Sequence, residues 1–377
     1  MKKITILALH LSAGGTEKTI ATLSNILVQK YEVEIISNYQ IEEKPAFDID
    51  ERVKVRYLMP NLKPNAKEFK TALKKFQIIK VLKEGIRAIR ILYLRRKLMI
   101  KAIKNLSCDI AISTRYIHNR LLGKYGDKNI IKIAQEHNNN GNERYIRKVV
   151  KSLKNIDYLM PVSKQLTQMY EKRLIDKKTK CLYIQHCLKD YTQKISSLTQ
   201  KNIISAGRLS KEKGFLDLID VFELVSKKNP DWHLNIAGDG EQKKAIIQKV
   251  KEKGLEDKIT LLGFKKEEEL RSLFLQSSIY VMTSFYESFG LSLIEAESFG
   301  IPILAFDSAE GPKEIIEDGK NGFLIPNRNK EEMANKINEL IENKELRKKI
   351  GQTARQDSAK YKKEEVGKLW YDFIEEI

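Results

Sequence analysis

Short apolar runs alternate with longer stretches whose apolar residues recur every three or four positions, and this alternation occurs twice along the chain. In the first half it predicts strands at 3–9, 32–37, 53–58, 109–113, 130–135 and 158–161, with a helix at 16–30 between the first two. In the second half it predicts strands at 202–206, 232–237, 259–262, 279–283 and 303–306, again separated by helical stretches. Such alternation implies parallel sheets covered by helices on both faces, so the expected fold class is α/β with two Rossmann-like units. The polar stretch 189–201 follows neither period and divides them, giving domains at 1–190 and 191–360 and a terminal helix at 361–377. A chain of 377 residues is also too long for one ordinary core.

One stretch departs from this scheme. Between 63 and 104 there are fourteen Lys or Arg against two acids, Glu68 and Glu84, so most of the net charge of +19 sits there. The same stretch carries Phe69, Leu73, Phe76, Ile79, Leu82, Ile86, Ile89 and Tyr93 at spacings of three and four, the pattern of an amphipathic helix. Such a helix fits an anionic membrane surface, with lysine stems along the apolar boundary. It fits equally a solvated helix whose apolar stripe packs into its own domain. Nucleic acid is not an expected partner, because Phe69, Phe76 and Tyr93 fall on the apolar stripe instead of being interleaved with the cations.

No run approaches the roughly 18 apolar residues of a membrane-spanning helix. Met1-Lys2-Lys3 leads straight into the first strand without the pattern of a cleavable signal. The expected location is cytoplasmic and, on the membrane reading of 63–104, peripheral on the inner face of the plasma membrane. Cys108, Cys181 and Cys187 are an odd number of thiols, which fits a reducing compartment. Cys181, His186 and Cys187 lie close together but have no second ligand cluster, so they read as thiols and a loop histidine, not as a metal site.

Each half offers glycine-rich turns after a strand. Gly14 and Gly15 would let the backbone approach a ligand, with Thr16 capping the helix that follows. The run to Thr19 fails the phosphate-loop pattern of nucleotide triphosphatases, since Glu17 stands where Gly must precede Lys18. In the second half, Gly207-Arg208-Leu209-Ser210-Lys211-Glu212-Lys213-Gly214 puts Arg208 and Lys213 on one loop at the carboxyl edge of a sheet, where doubly wound folds bind ligands. A planar fork and a compact charge together can neutralise a diphosphate without a metal. Further on, Glu287 and Glu295 bound the run ESFGLSLIE. In one unbroken helix these carboxylates would stand about 12 Å apart. Gly290 argues instead for a loop at 287–290 and a helix at 291–299, with Glu287 at the end of a strand and Glu295 one turn into the helix.

With His137 in Gln135-Glu136-His137-Asn138, the turn Gly238-Asp239-Gly240 and the pair Gly263-Phe264, these motifs resemble the retaining nucleotide-sugar glycosyltransferases of the GT-B fold, glycosyltransferase family 4 (group 1), over essentially the whole chain. The resemblance implies two doubly wound domains facing across a cleft. It implies that Arg208 and Lys213 hold the donor diphosphate, that Glu295 holds the ribose hydroxyls, and that the base lies near Phe264. Glu287, Ser288 and the backbone of Phe289 and Gly290 would meet the donor sugar, and amides at Leu291 and Ser292 the phosphates. Gly14 and Gly15 would approach the diphosphate from the other domain, Gly238 would line the donor site, and His137 would reach the sugar near the reacting centre. Helix-start amides do form anion sites, and a carboxylate suits vicinal hydroxyls.

No cofactor and no metal are expected beyond the nucleotide-sugar co-substrate. Asp48-Ile49-Asp50 mimics the metal motif of the other major glycosyltransferase fold and is read as solvated loop. The expected reaction moves a hexosyl group from a nucleoside diphosphate sugar, a UDP-sugar, to an acceptor hydroxyl with retention. The acceptor expected is a lipid-linked or membrane-embedded glycan, in capsule, cell-wall polymer or glycolipid synthesis, with Arg115, Tyr116 and His118 as candidate contacts. Leu369, Trp370 and Phe373 would return the terminal helix to the first domain, as in the family. The alternatives are a GT-B nucleotide-sugar epimerase, and a non-catalytic basic membrane- or nucleic-acid-binding protein. A catalytically inert sugar-binding or scaffold protein on this fold would be expected to lose Arg208, Lys213, Glu287 or Glu295, and all four are present.

Overall fold

The computed structural model describes residues 1–138 and 142–377. They form two units, Met1–Cys187 with Gly367–Ile377, and Leu188–Val366. The first contains β1 (Lys3–Ala8), β2 (Glu32–Tyr39), β3 (Lys54–Met59), β4 (Ile110–Ser113), β5 (Ile131–Glu136), β6 (Tyr158–Pro161) and β7 (Lys180–Cys181). All pair in parallel in the order β3-β2-β1-β4-β5-β6-β7, with Ile4 opposite Val33 on one side and Ile110 on the other. The winding direction reverses between β1 and β4.

The second unit contains β8 (Asn202–Ala206), β9 (His233–Ala237), β10 (Ile259–Gly263), β11 (Ile279–Met282), β12 (Ile303–Phe306) and β13 (Gly322–Ile325). These too are parallel, in the order β10-β9-β8-β11-β12-β13, so direction reverses between β8 and β11. β11 and β12 are buried at every position, which is why they read as continuous apolar runs instead of alternating ones. Phe222, Ile236, Val281, Leu304, Met333 and Ile337 belong to the core that helices build against this sheet. Such reversals leave the carboxyl ends of two neighbouring strands open between diverging helices, the usual ligand crevice of a doubly wound sheet.

Several expectations need correction. β7 and β13 were not expected; β7 has only two residues, and β13 starts at Gly322, where a Cβ would lie 2.2 Å from the carbonyl oxygen of Ile303. Thr16 does not cap its helix. The helix runs Gly15–Leu27 with Gly14 at the flanking position and no side-chain cap, because the carboxylate of Glu17 occupies that space. A Cβ on Gly14 would fall 2.2 Å from Glu17 Oε2. The last helix, Lys363–Glu376, is shared: from Gly367 it counts with the first unit, where Trp370 and Ile374 are buried and the Tyr371 hydroxyl donates to the carbonyl of Ile26 at 2.7 Å.

The basic stretch is not one helix. It breaks into Ala66–Lys74 and Ile78–Lys104, with Phe76 at φ +53° between them. The longer helix packs inward through Ile91, Met99, Ala102 and Ile103. The row Ile79, Leu82, Ile86, Ile89 and Tyr93 faces outward, so it does not pack into its own domain. At 100° per residue this row spans about 80° of the helix, and Lys80, Lys83, Arg87 and Arg90 lie exposed along one side of it. Among the described residues no helix is long and apolar enough to cross a membrane.

Candidate functional site

At the end of β8 the chain makes a tight turn, with the Ser210 amide donating to the Arg208 carbonyl at 2.8 Å. It continues as a 3-10 turn, Lys211–Lys213, and enters the helix Phe215–Lys228 through Gly214 at φ +65°. Only glycine fits there, since a Cβ would meet the Thr283 carbonyl oxygen at 2.1 Å. Thr283, just past β11, returns a hydrogen bond from its hydroxyl to the Gly214 carbonyl at 3.0 Å, and the Phe285 amide donates to the Glu212 carbonyl at 2.7 Å. The loops after β8 and β11 are therefore joined at the reversal of the sheet. Arg208 is exposed on the first loop. Lys213 Nζ and Glu287 Oε2 form an ion pair across the two, both half-buried.

Beyond Glu287, Phe289 is buried against Tyr361 in an edge-to-face contact at 5.8 Å, and Gly290 at φ +104° precedes the helix Leu291–Ser298. The Glu287 carbonyl accepts from the Gly311 amide at 3.0 Å, which holds the loop from its other side. Ser292 Oγ accepts from the buried Tyr280 hydroxyl at 2.7 Å, fixing the first turn, while Glu295 stands half-buried in the next. Phe264 projects after β10 from Gly263 at φ +70° and is 58% exposed. Gly238 is a packing position: a Cβ there would lie 1.8 Å from the Gly207 carbonyl.

The first unit gathers polar groups at the carboxyl ends of β1, β4 and β5. Arg115 Nη2 donates to Glu17 Oε1 at 2.9 Å, and His10 Nδ1 lies 3.6 Å from the same oxygen. The Glu136 carboxylate accepts from the Tyr145 hydroxyl at 2.9 Å and the Asn138 amide at 2.8 Å. Burial pushes its pKa up to about 7 in spite of those bonds and of Arg115 nearby. His137 follows directly; burial, then His186 and Arg115, hold its pKa well below the usual range, so the imidazole is neutral at pH 7. Its Nε2 has no hydrogen-bond partner among the described residues, and the His186 ring lies 6.3 Å away.

The three candidate acceptor residues separate. Arg115 is engaged by Glu17, and Tyr116 packs edge-on to Tyr145 at 5.8 Å. His118 is buried, with Nε2 at 2.8 Å from Asn38 Oδ1 and a pKa pushed down to about 3 by burial. Asp50 of the Asp48-Ile49-Asp50 run forms an ion pair with Arg52 at 2.7 Å.

Residues 189–357 match the family described as Glycosyl transferases group 1. Over 98% of this chain and 99% of the relative, the sequence is 29% identical to an uncharacterized glycosyltransferase of Haemophilus influenzae. It is 28% identical to the amylovoran biosynthesis glycosyltransferase AmsD of Erwinia amylovora, over 99% of this chain and 100% of AmsD. The second unit carries the group 1 match, and the chain as a whole is similar to glycosyltransferases. Its fold is similar to that of S. aureus TarM, in a crystal structure of a mutant in complex with fondaparinux, alpha-GlcNAc-glycerol and UDP: TM-score 0.79, 18% identity, 99% of each chain covered.

Within this glycosyltransferase, residue-type reasoning passed over several groups that the fold brings to the site edges. Glu17 figured only as the residue that spoils a phosphate loop, yet it holds Arg115. Glu136 stood beside His137 without a role, and Tyr145 and Tyr280 carried no motif. The one available signal was a glutamate at the carboxyl end of an apolar strand, where an unpaired charge would be costly.

Two outcomes are expected. Gly214→Ala should lower the stability of the glycosyltransferase by about 2 kcal/mol or more, read as an earlier denaturant midpoint, because left-handed backbone and a carbonyl clash combine. For Glu136, a folded pKa of about 7 lies above the ordinary 4.5, so its contribution to stability is fully present below 4.5 and is lost as pH rises through 7. Glu136→Gln keeps an oxygen for Tyr145 and the Asn138 amide. Wild type should therefore lose stability relative to this variant between pH 4.5 and 7, by at most about 3 kcal/mol, read as a falling melting temperature. Parallel pH profiles for the two proteins would overturn the assignment.

Proposed function

We propose that this glycosyltransferase moves a hexosyl group from a UDP-sugar to an acceptor hydroxyl with retention at the anomeric carbon. The observation that carries the reading is the meeting of Lys213 and Glu287 at the reversal between β8 and β11, with Arg208 on the same loop as Lys213. The bond from the anomeric carbon to the diphosphate oxygen breaks, a bond to the acceptor oxygen forms on the same face, and the acceptor proton leaves with the diphosphate. Arg208, Lys213 and the amides of Leu291 and Ser292 stabilise the departing charge without a metal. Glu287 and Ser288, with the backbone of Phe289 and Gly290, hold the sugar; Glu295 takes the ribose hydroxyls and Phe264 lies by the base. His137 and the Gly14-Gly15 turn are assigned to sugar and diphosphate on the family resemblance. An uncharged His137 suits a hydrogen bond to a hydroxyl.

The acceptor assigned is a lipid-linked or polymer glycan. AmsD is named for amylovoran biosynthesis, and TarM was crystallised with a glycerol-linked sugar and UDP. The outward row from Ile79 to Tyr93, with Phe76 89% exposed beside it, suits the acyl boundary of an anionic membrane, and the neighbouring lysines and arginines suit its headgroups. Pairing this face with a second copy would bring two strongly basic surfaces together, which disfavours that occupant.

Incubation with a panel of nucleotide sugars should release UDP slowly from one UDP-sugar, and Arg208→Ala should reduce that release about 10²- to 10³-fold. Near wild-type release by the variant would remove the diphosphate assignment, and conversion of the nucleotide sugar without release would favour an epimerase. In flotation assays the protein should rise with phosphatidylglycerol-containing vesicles and not with phosphatidylcholine alone. Replacing Ile79 and Ile86 by Ser should weaken this binding; absence of any binding at physiological salt would sink the membrane assignment.

A further inference from the structure

Arg328 lies just past β13, in a turn where it and Asn327 both have φ +52°. Asparagine tolerates this left-handed backbone; arginine adopts it at a cost, and such strain persists only where the surroundings over-determine it. Four groups do so here. Nη1 donates to the Ser284 carbonyl at 3.1 Å and to Ser308 Oγ at 2.9 Å, and Nη2 donates to the Thr283 carbonyl at 2.9 Å and to Asp217 Oδ2 at 2.5 Å. The plane of the guanidinium is covered by the rings of Phe285 and Phe306, at 3.6 and 4.5 Å to their centroids.

These partners come from the exit of β11, the exit of β12 and the first turn of the helix Phe215–Lys228. Arg328 also fills the space that Gly214 leaves open, since a Cβ on Gly214 would lie 3.1 Å from Nη2. Nothing in the composition of the motifs marks this residue, which lies more than forty positions beyond Thr283.

We propose that Arg328 is a positioning residue for the donor site: it clamps the start of the loop that carries Glu287 to the start of the helix that follows Lys213. It acts through Thr283, Ser284 and Asp217 and touches no substrate itself. The proposal rests on the donor reading of Lys213 and Glu287 for its catalytic meaning, but the clamp is a claim about the loop alone. A fork is needed because two carbonyls and a carboxylate lie in different directions around one planar group, which an ammonium cannot serve together. Asp217 keeps a second partner, Lys330 Nζ at 2.8 Å, so removing the guanidinium does not strand a buried carboxylate.

The test compares the full chain with Arg328→Ala and Arg328→Lys, by hydrogen exchange and by UDP binding. In both variants the amides of 284–290 should exchange at least about tenfold faster while those of β12 keep their protection, and the UDP dissociation constant should rise about tenfold. Lysine, which restores the charge without the fork, should rescue little. Unchanged exchange at 284–290, full rescue by lysine, or faster exchange spread evenly over residues 188–366 would each overturn the proposal. If the wild-type protein binds no UDP, the donor reading fails, and hydrogen exchange still decides whether Arg328 clamps the loop.

Discussion

The carbonyl oxygen of Thr283 stands where a Cβ on Gly214 would have to go, at 2.1 Å, and the carbonyl of Phe289 stands in the same relation to Gly311. Main chain pressed against main chain at this range leaves no room for a side chain, so the loops after β8, β11 and β12 are fixed to one another independently of what their side chains do. Around this mesh the charged groups fall into place. Lys213 reaches Glu287 because the two backbones that carry them are already in contact, and Tyr280 on the fully buried strand meets Ser292 because the loop between them brings the first turn of the helix back over the strand. Side chains reinforce the mesh by binding its carbonyl groups, Thr283 that of Gly214 and Arg328 those of Thr283 and Ser284.

Much of this could be read from residue order. Parallel strands buried on both faces give uninterrupted apolar runs, so β6, β8 and β12 fall where the pattern puts them, to the residue. The loop and helix around Glu287 were legible because Gly290 interrupts an otherwise helical run, and it does take a left-handed conformation. Periodicity failed where three-dimensional neighbours decide. The apolar spacing from Phe69 to Tyr93 is unbroken, yet the chain turns at Phe76, and the stripe faces solvent because the opposite side, with Ile91 and Met99, meets the domain. Thr16 has the chemistry of a cap but sits one position inside the helix, since Glu17 folds back over Gly14. The Arg328 contacts were illegible for a plainer reason: their partners come from separate segments that only the finished sheet brings together.

The two units handle charge differently. At the edge of the second sheet, Lys213, Arg208 and Glu295 remain at least partly open to solvent, where a charge is easily kept. At the edge of the first, Glu17 and Glu136 are buried, and each is held by specific donors, Arg115 for one and Tyr145 with a backbone amide for the other. Burial, outweighing the hydrogen bonds and the nearby Arg115 charge, is what raises the Glu136 pKa, and burial also keeps His118, His137 and His186 neutral. The His137 imidazole is thus a dipole, suited to orienting a hydroxyl, and not a cation.

The first unit is discontinuous: residues 1–187 are completed by 367–377, while 188–366 form an uninterrupted unit of their own. During synthesis the second unit can therefore close as soon as it leaves the ribosome, whereas the first, though made earlier, lacks the helix that covers Ile26 until 367–377 have emerged. Order of translation and order of completion are reversed. For that interval the face awaiting Trp370 and Ile374 is bare, so the first unit is vulnerable after the second has already closed.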